Sequence, residues 1–286
     1  MTHVADAPAL PDVILEPIVR LALLEDLAPA GDLTSDSAIE ATAQMSAEFR
    51  AREQGVIAGL DAARLSLRLL DPEVRLTVER GDGARVAAGD RIATVTGSAR
   101  SILMAERTML NFIGHLSGIA TLTRRYVEAV AGTAARITCT RKTTPGLRAL
   151  EKRAVRLGGA INHRYSLADA ILIKDNHIAA AGGVGNALSR AKALGGHMRV
   201  IEIEVDTLQQ LAEALPLAPN CILLDNMSLD QLREAVAMTA GRAILEASGK
   251  VRLETVRDIA MTGVNVISVG ALTHSARRLD LGLDVT

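Results

Sequence analysis

Apolar side chains recur at helical spacing along residues 13–27 (VILEPIVRLALLEDL), and the segment predicts an α-helix. APAGDLTSD follows and reads as a turn. Partial alternation in MSAEFRA and VRLTVER predicts strands within 45–58 and 74–80. Glycines punctuate GDGARVAAGDRIATVTG, which predicts a β-hairpin segment. From about Ala99 to Ala131 the spacing is helical again. Gly114 and Ser117-Gly118 predict a division of that stretch into two helices, with Ser117 as an N-cap. The domain boundary is placed at this break, giving domains of 1–116 and 117–286.

Beyond the break the pattern alternates. Short β-type runs are RITCT (136–140), AILIKD (170–175), RVIEIEVD (199–206), CILLDN (221–226), AILEAS (243–248) and VNVISVG (264–270). Helical stretches at 145–158, 182–194, 207–215, 228–240 and 252–262 separate them. This alternation implies βα units and a parallel sheet. Each run ends in polar residues or glycine, as in a β/α barrel that carries its chemistry at the C-terminal strand ends. No GxGxxG follows a first strand, so an open dinucleotide-binding sheet is the weaker reading.

Composition narrows the partner. Apolar residues make up 49% of 286, which suits a globular chain of one or two domains. With no Trp, two Tyr and two Phe, stacking platforms for bases are nearly absent. A net charge of −1 argues against a DNA-binding surface. No apolar run has the length of a membrane span. MTHVADAPALPDV shows no basic segment followed by an apolar one, so no secretory signal is read there. Cys139 and Cys221 lie apart in apolar runs and read as buried, reduced thiols of a cytosolic protein.

Charge is balanced over the chain but not within it. Between Arg141 and His177, eight Lys/Arg stand against three acids. Arg141 and Lys142 follow the RITCT run, Arg164 follows Asn162-His163, and Lys174 ends AILIKD. Cations at strand ends would share a cleft and concentrate small anions. Arg148, Lys152, Arg153 and Arg156 fall on the helix 145–158 and read as its solvated face. For Arg107 the sequence leaves open a local pair with Glu106 or a reach into the cleft. His3, His115 and His197 read as structural or surface residues.

In RVIEIEVD, period 2 puts Ile201, Ile203 and Val205 on one face and Glu202, Glu204 and Asp206 on the other. Glu204 and Asp225 then close neighbouring strands, where paired carboxylates suit ribose hydroxyls or Mg²⁺. Glu246-Ala-Ser-Gly-Lys250 and Val269-Gly270-Ala271 each precede a helical stretch after the last two strands. Glycine turns at helix N-termini in that position suit a phosphate.

The strings EDLAPAGDLTSD, AREQGVIAGL, AERTMLNFIGHLSGIAT, TRKTTPGLRALEKRAVRLGGAINHR, LIKDNHI, EVD, LLDN, EASG and ISVGALTHSA span nearly the whole chain. Through them it resembles the quinolinate phosphoribosyltransferases. The resemblance implies an N-terminal open α/β sandwich domain plus a C-terminal incomplete parallel β/α barrel, assembled as a homodimer. It implies transfer of phosphoribosyl from phosphoribosyl pyrophosphate, with Mg²⁺, to quinolinate with decarboxylation. Arg107, Arg141, His163, Arg164 and Lys174 would surround the dicarboxylate, with Thr140 also touching substrate. Lys142 would face pyrophosphate, and Glu204 and Asp225 would hold the ribose hydroxyls, directly or near Mg²⁺. Ser248, Gly249, Gly270 and Ala271 would cradle the 5′-phosphate beside Lys250, Val269 and His274. Arg52 would reach the partner subunit's site. Lys250 stands where the family more often has a small or amide residue. Two other readings remain: a paralogous family of this fold linked to molybdenum transport, and a non-catalytic sugar-phosphate-binding protein.

Overall fold

The computed structural model of the protein describes residues 7–286. His3 and the start of the stretch read for a secretory signal lie outside the described residues. The strands are β1 (Gln44–Ala51), β2 (Gly55–Val56), β3 (Arg75–Val78), β4 (Arg85–Val86), β5 (Arg91–Ser98), β6 (Arg136–Thr138), β7 (Ile171–Ile173), β8 (Ile201–Val205), β9 (Cys221–Asp225), β10 (Ile244–Ser248), β11 (Val266–Ser268) and β12 (Leu281–Val285). The chain separates into two compact units, one formed by residues up to 124 with 143–159 and 272–286, the other by 125–142 and 160–271.

The first unit is an α/β sandwich. Its sheet has the order β12-β1-β5-β3, with every pairing antiparallel. Ala47, Phe49 and Ala51 occupy alternate positions of β1 and are buried together with Ile92, Ala93 and Val95 of β5. Ile57, Leu60, Leu67, Ile102, Met109 and Ile113 join that core, five of them from the helices Leu60–Leu70 and Ala99–Ala129. The expected turn APAGDLTSD is partly helical, because Asp32 Oδ1 accepts from the N–H groups of Thr34 and Ser35, both at 3.1 Å, and so starts the helix Leu33–Ala38.

Two local expectations are corrected. GDGARVAAGDRIATVTG is not one hairpin: β4 pairs with β2, whereas β5 joins β1 and β3. Gly83 and Gly89, with φ of +85° and +90°, turn the chain between the two sheets. The stretch around Ser117 is not a break, since one helix runs unbroken from Ala99 to Ala129. Ser117 is fully buried inside it, and its hydroxyl accepts from Ala58 N–H at 2.9 Å and lies 3.2 Å from Ala58 O. The glycines serve close approach instead. The carbonyl of Arg277 lies where a Cβ on Gly118 would be, and a Cβ on Gly114 would lie 3.1 Å from Leu279 O.

The cations of the helix Arg148–Leu157 are not a solvated face either. Lys152 is 3% exposed, and Arg153 pairs with Asp82 at 2.5 Å and Asp61 at 3.4 Å. Glu151, fully buried, accepts from His115 Nε2 at 2.8 Å and Thr144 N–H at 3.1 Å. Acids distant in sequence reach these cations, a tertiary effect that spacing does not reveal.

The second unit is the incomplete β/α barrel. Six parallel strands run in the order β6-β11-β10-β9-β8-β7. Beyond β6 a parallel bridge joins Thr138 to Ile161, and among the described residues no ladder joins β7 back to that edge. Ile203 and Val205 are fully buried, as period 2 requires, so the alternate residues Glu202 and Glu204 face inward. Among the described residues no helix is long and apolar enough to cross a membrane.

Candidate active site

Hydrogen bonds at the C-terminal strand ends set the site of the second unit. Past β6, Thr140 Oγ1 accepts the N–H of Lys142 at 3.0 Å and bends the chain at Arg141. Arg141 is half-buried, with a buried Nε that meets no hydrogen-bond acceptor. Ile161 N–H bonds to Ile137 O at 2.9 Å, so the segment carrying His163 and Arg164 lies beside β6. Cys139 Sγ lies 3.3 Å from Asn162 Oδ1 in the same place.

Arg164 is tied to its loop by a bond from Nη1 to Ala170 O at 3.0 Å, and its Nε too is buried without an acceptor. Burial, and then the nearby positive charge of Arg141, pull its pKa below the usual arginine value. Two half-buried guanidinium groups that repel each other, each with an orphaned N–H, make a site for an anion with two or more acceptors.

Lys174 caps the helix Asp175–Ala181 and reaches back to form an ion pair with Glu204 on β8. Asp225 ends β9, the strand next to β8, and accepts from Asn226 Nδ2 at 2.5 Å. The two carboxylates therefore stand on adjacent strand ends, and oxygen donors of this kind fit Mg²⁺.

Asp225 is in register with Ser248 at the end of β10. Asn226 N–H bonds to Ser248 O at 3.0 Å, and Gly249 has φ +95° with Asn226 packed where a Cβ would be. Only glycine fits that close approach. Lys250 is exposed and has φ +50°. The helix after this turn spans only Val256–Ala260, so the Ser248–Lys250 turn does not sit at a helix N-terminus as the sequence suggests. The Val269-Gly270-Ala271 turn does: Val269 N–H bonds to Thr138 O at 2.9 Å, and the short helix Ala271–His274 follows Gly270 directly.

Three of the expected residues belong to the first unit. Arg107 is exposed on the helix Ala99–Ala129 and, with His115, Thr144, Pro145 and Arg278, lines a cavity of about 480 Å³ in that unit. Arg52 forms an ion pair with Asp284 of β12 and lies over Gly282. His274 Nδ1 lies 2.6 Å from Ser275 Oγ.

Sequence reasoning passed over two inner-face residues. Glu202 and Glu246 are 7% and 6% exposed and flank His163. His163 Nε2 is 3.1 Å from Glu202 and 3.7 Å from Glu246. The period-2 pattern put Glu202 on the face opposite Ile201 and Ile203, but nothing in the pattern tells its depth.

Fold and site together define a two-unit α/β protein whose barrel strand ends gather the cations Arg141, Arg164 and Lys174 beside the carboxylates Glu204 and Asp225. The chain belongs to the quinolinate phosphoribosyl transferase family: residues 32–117 match the profile of its N-terminal domain and residues 119–284 that of its C-terminal domain. It is 47% identical over 276 residues to the nicotinate-nucleotide pyrophosphorylase [carboxylating] of Mycobacterium leprae, covering 93% of this chain and 95% of that one. It is 41% identical over 296 residues to the quinolinate phosphoribosyltransferase [decarboxylating] 2b, mitochondrial, of Nicotiana tabacum, covering 97% of this chain and 84% of that one. Among solved structures, the nicotinate-nucleotide pyrophosphorylase from Francisella tularensis superposes with a TM-score of 0.94 at 40% identity, covering 98% of this chain and 99% of that one. These likenesses favour the quinolinate reading over the molybdenum-linked and non-catalytic ones.

Proposed function

We propose that the protein transfers the phosphoribosyl group of phosphoribosyl pyrophosphate to quinolinate, with decarboxylation, in the formation of nicotinate mononucleotide. The observation that carries this reading is the Arg141–Arg164 pair with its two buried, unpartnered Nε–H groups. A dicarboxylate supplies what such a pair lacks.

The quinolinate ring nitrogen attacks C1 of the ribose and the C1–O bond to pyrophosphate breaks, so positive charge grows at C1 while negative charge leaves. The C2–carboxylate bond then breaks and CO₂ departs. Its electron pair stays at C2, beside the positive ring nitrogen, and takes up a proton. Positioning and electrostatics supply the catalysis, with no covalent nucleophile.

In this reading Arg141, Arg164 and Lys174 grip the carboxylates, with Thr140 and His163 shaping that wall. Lys142 faces the leaving pyrophosphate. Glu204 and Asp225 would hold the ribose hydroxyls and Mg²⁺, which when bound would supply charge to neutralise the leaving diphosphate. Ser248, Gly249, Lys250, Val269, Gly270 and Ala271 take the 5′-phosphate. The family pattern also assigns substrate contacts to Arg107 and His274. The working form in this reading is a cytoplasmic homodimer.

In that dimer Arg52 serves the partner subunit's site. Arg52→Ala and Arg141→Ala subunits, each inactive alone, should regain about 25% of wild-type activity when mixed equally and re-associated, because half the dimers then hold one site with both arginines. No recovery, with subunit exchange confirmed by mass, would remove Arg52 from that role.

A further inference from the structure

The mechanism above makes no use of the two carboxylates buried most deeply beside its cations. Glu202 on β8, Glu246 on β10 and His163 offer ligand atoms that all lie within 4.8 Å of one another. His163 has both ring nitrogens engaged. Arg164 N–H donates to Nδ1 at 2.9 Å, so in the neutral ring Nε2 carries the proton and donates to Glu202 at 3.1 Å. One oxygen of Glu246 is left unsatisfied: Ser268 hydrogen-bonds the carboxylate, but Oε1 is buried, has no hydrogen-bond partner, and lies 3.7 Å from the same Nε2. A buried carboxylate in that position, beside a second carboxylate, favours its protonated form.

The groups facing Glu246 come from every neighbouring element. They are Glu202 on β8, Cys221 on β9, Ser268 on β11, His163 beside β6 and Lys174 at the end of β7. Cys221 does not compete for the proton, since burial pushes its thiol up to about 12. Burial first, and then the charge of Glu202, push Glu246 up to about 7, against the opposing pull of His163 and Lys174.

Charge at the site turns on this one proton. Arg141, Arg164 and Lys174 contribute three positive charges, and Glu202 and Glu204 two negative ones. An ionised Glu246 cancels the remainder, whereas a protonated one leaves the site cationic. Resting on the functional reading above, we propose that Glu246 is a specificity-determining residue that binds a proton when a dianionic pyridine dicarboxylate enters, so that substrate and proton are taken up together. The sign follows from linkage: two new negative charges favour the neutral acid, and the neutral acid favours the dianion. Affinity for the dianion should fall as pH rises through 7, by at most about tenfold per pH unit.

Calorimetric titration of quinolinate into the full-length protein tests this, at pH 7 with a chelator, in two buffers of small and large ionisation enthalpy. The expected result is uptake of about half a proton per site, because a group half-protonated before binding becomes fully protonated after it. In Glu246→Gln, an isosteric change, the uptake should vanish and the affinity should no longer depend on pH between about 6 and about 9. Zero uptake or proton release in the wild type overturns the inference alone, as does uptake that persists in Glu246→Gln. If Glu246→Gln does not fold, as judged by its circular dichroism, the wild-type affinity across the same pH range decides: flat overturns, falling supports. No binding of quinolinate in either buffer overturns the functional reading and this inference with it.

Discussion

Nicotinate should be a poor substrate, turned over with a kcat/KM at least about 10³-fold below that of quinolinate. The two differ only by the 2-carboxylate, so the loss isolates what that group contributes. Arg141 and Arg164 hold buried Nε–H groups without acceptors, and their charges oppose each other. In the proposed reading quinolinate would place two carboxylates among these cations and satisfy them. Nicotinate leaves part of the set unpaired in a desolvated wall, a cost that a site built to bond the missing group does not recover. Such a ratio corresponds to about 4 kcal/mol of transition-state stabilisation. Steady-state rates with each acid at saturating phosphoribosyl pyrophosphate would check it, and comparable turnover of nicotinate would count against the arginine pair as the dicarboxylate site.

The second large effect is expected at the acid pair. Glu204→Gln and Asp225→Asn should each lower kcat by about 10²–10³-fold, the scale of losing one aligned electrostatic group. Quinolinate binding should survive both changes. Glu204 now holds Lys174 in an ion pair, so neutralising it frees a cation for the dicarboxylate and should leave affinity unchanged or raised. Asp225 engages Asn226 and stands in register with Ser248, which the proposed reading gives to the sugar phosphate. Direct titration of quinolinate into each variant separates the roles, because a large loss of affinity would move that acid to the dicarboxylate side.

What the sequence made legible follows from what is local. Runs such as CILLDN and RVIEIEVD fall on β9 and β8 within a residue or two, because a buried parallel strand needs a short apolar run and a polar end. Arg141, Lys174, Glu204 and Asp225 sit at those ends, so their shared location could be read from spacing alone. The misreadings have one physical source. Gly114, Ser117 and Gly118 look like a helix break but answer to Ala58, Arg277 and Leu279, far away in the chain. Lys152 and Arg153 look like a wet helix face but are buried or paired with Asp61 and Asp82. Glu202 and Glu246 alternate like any strand residues, and only the packed barrel buries them against His163. Periodicity reports the direction of a side chain, whereas its depth and partners depend on tertiary contacts.

The central claim is that this site joins phosphoribosyl to quinolinate and expels the 2-carboxylate. Quinolinate labelled in its 2-carboxyl carbon, incubated with the protein, phosphoribosyl pyrophosphate and Mg²⁺, tests it most directly. The expected result is equal amounts of nicotinate mononucleotide and CO₂, with all of the label in the CO₂ and none made without the protein. Absence of product, or a nucleotide that keeps the label, would contradict it.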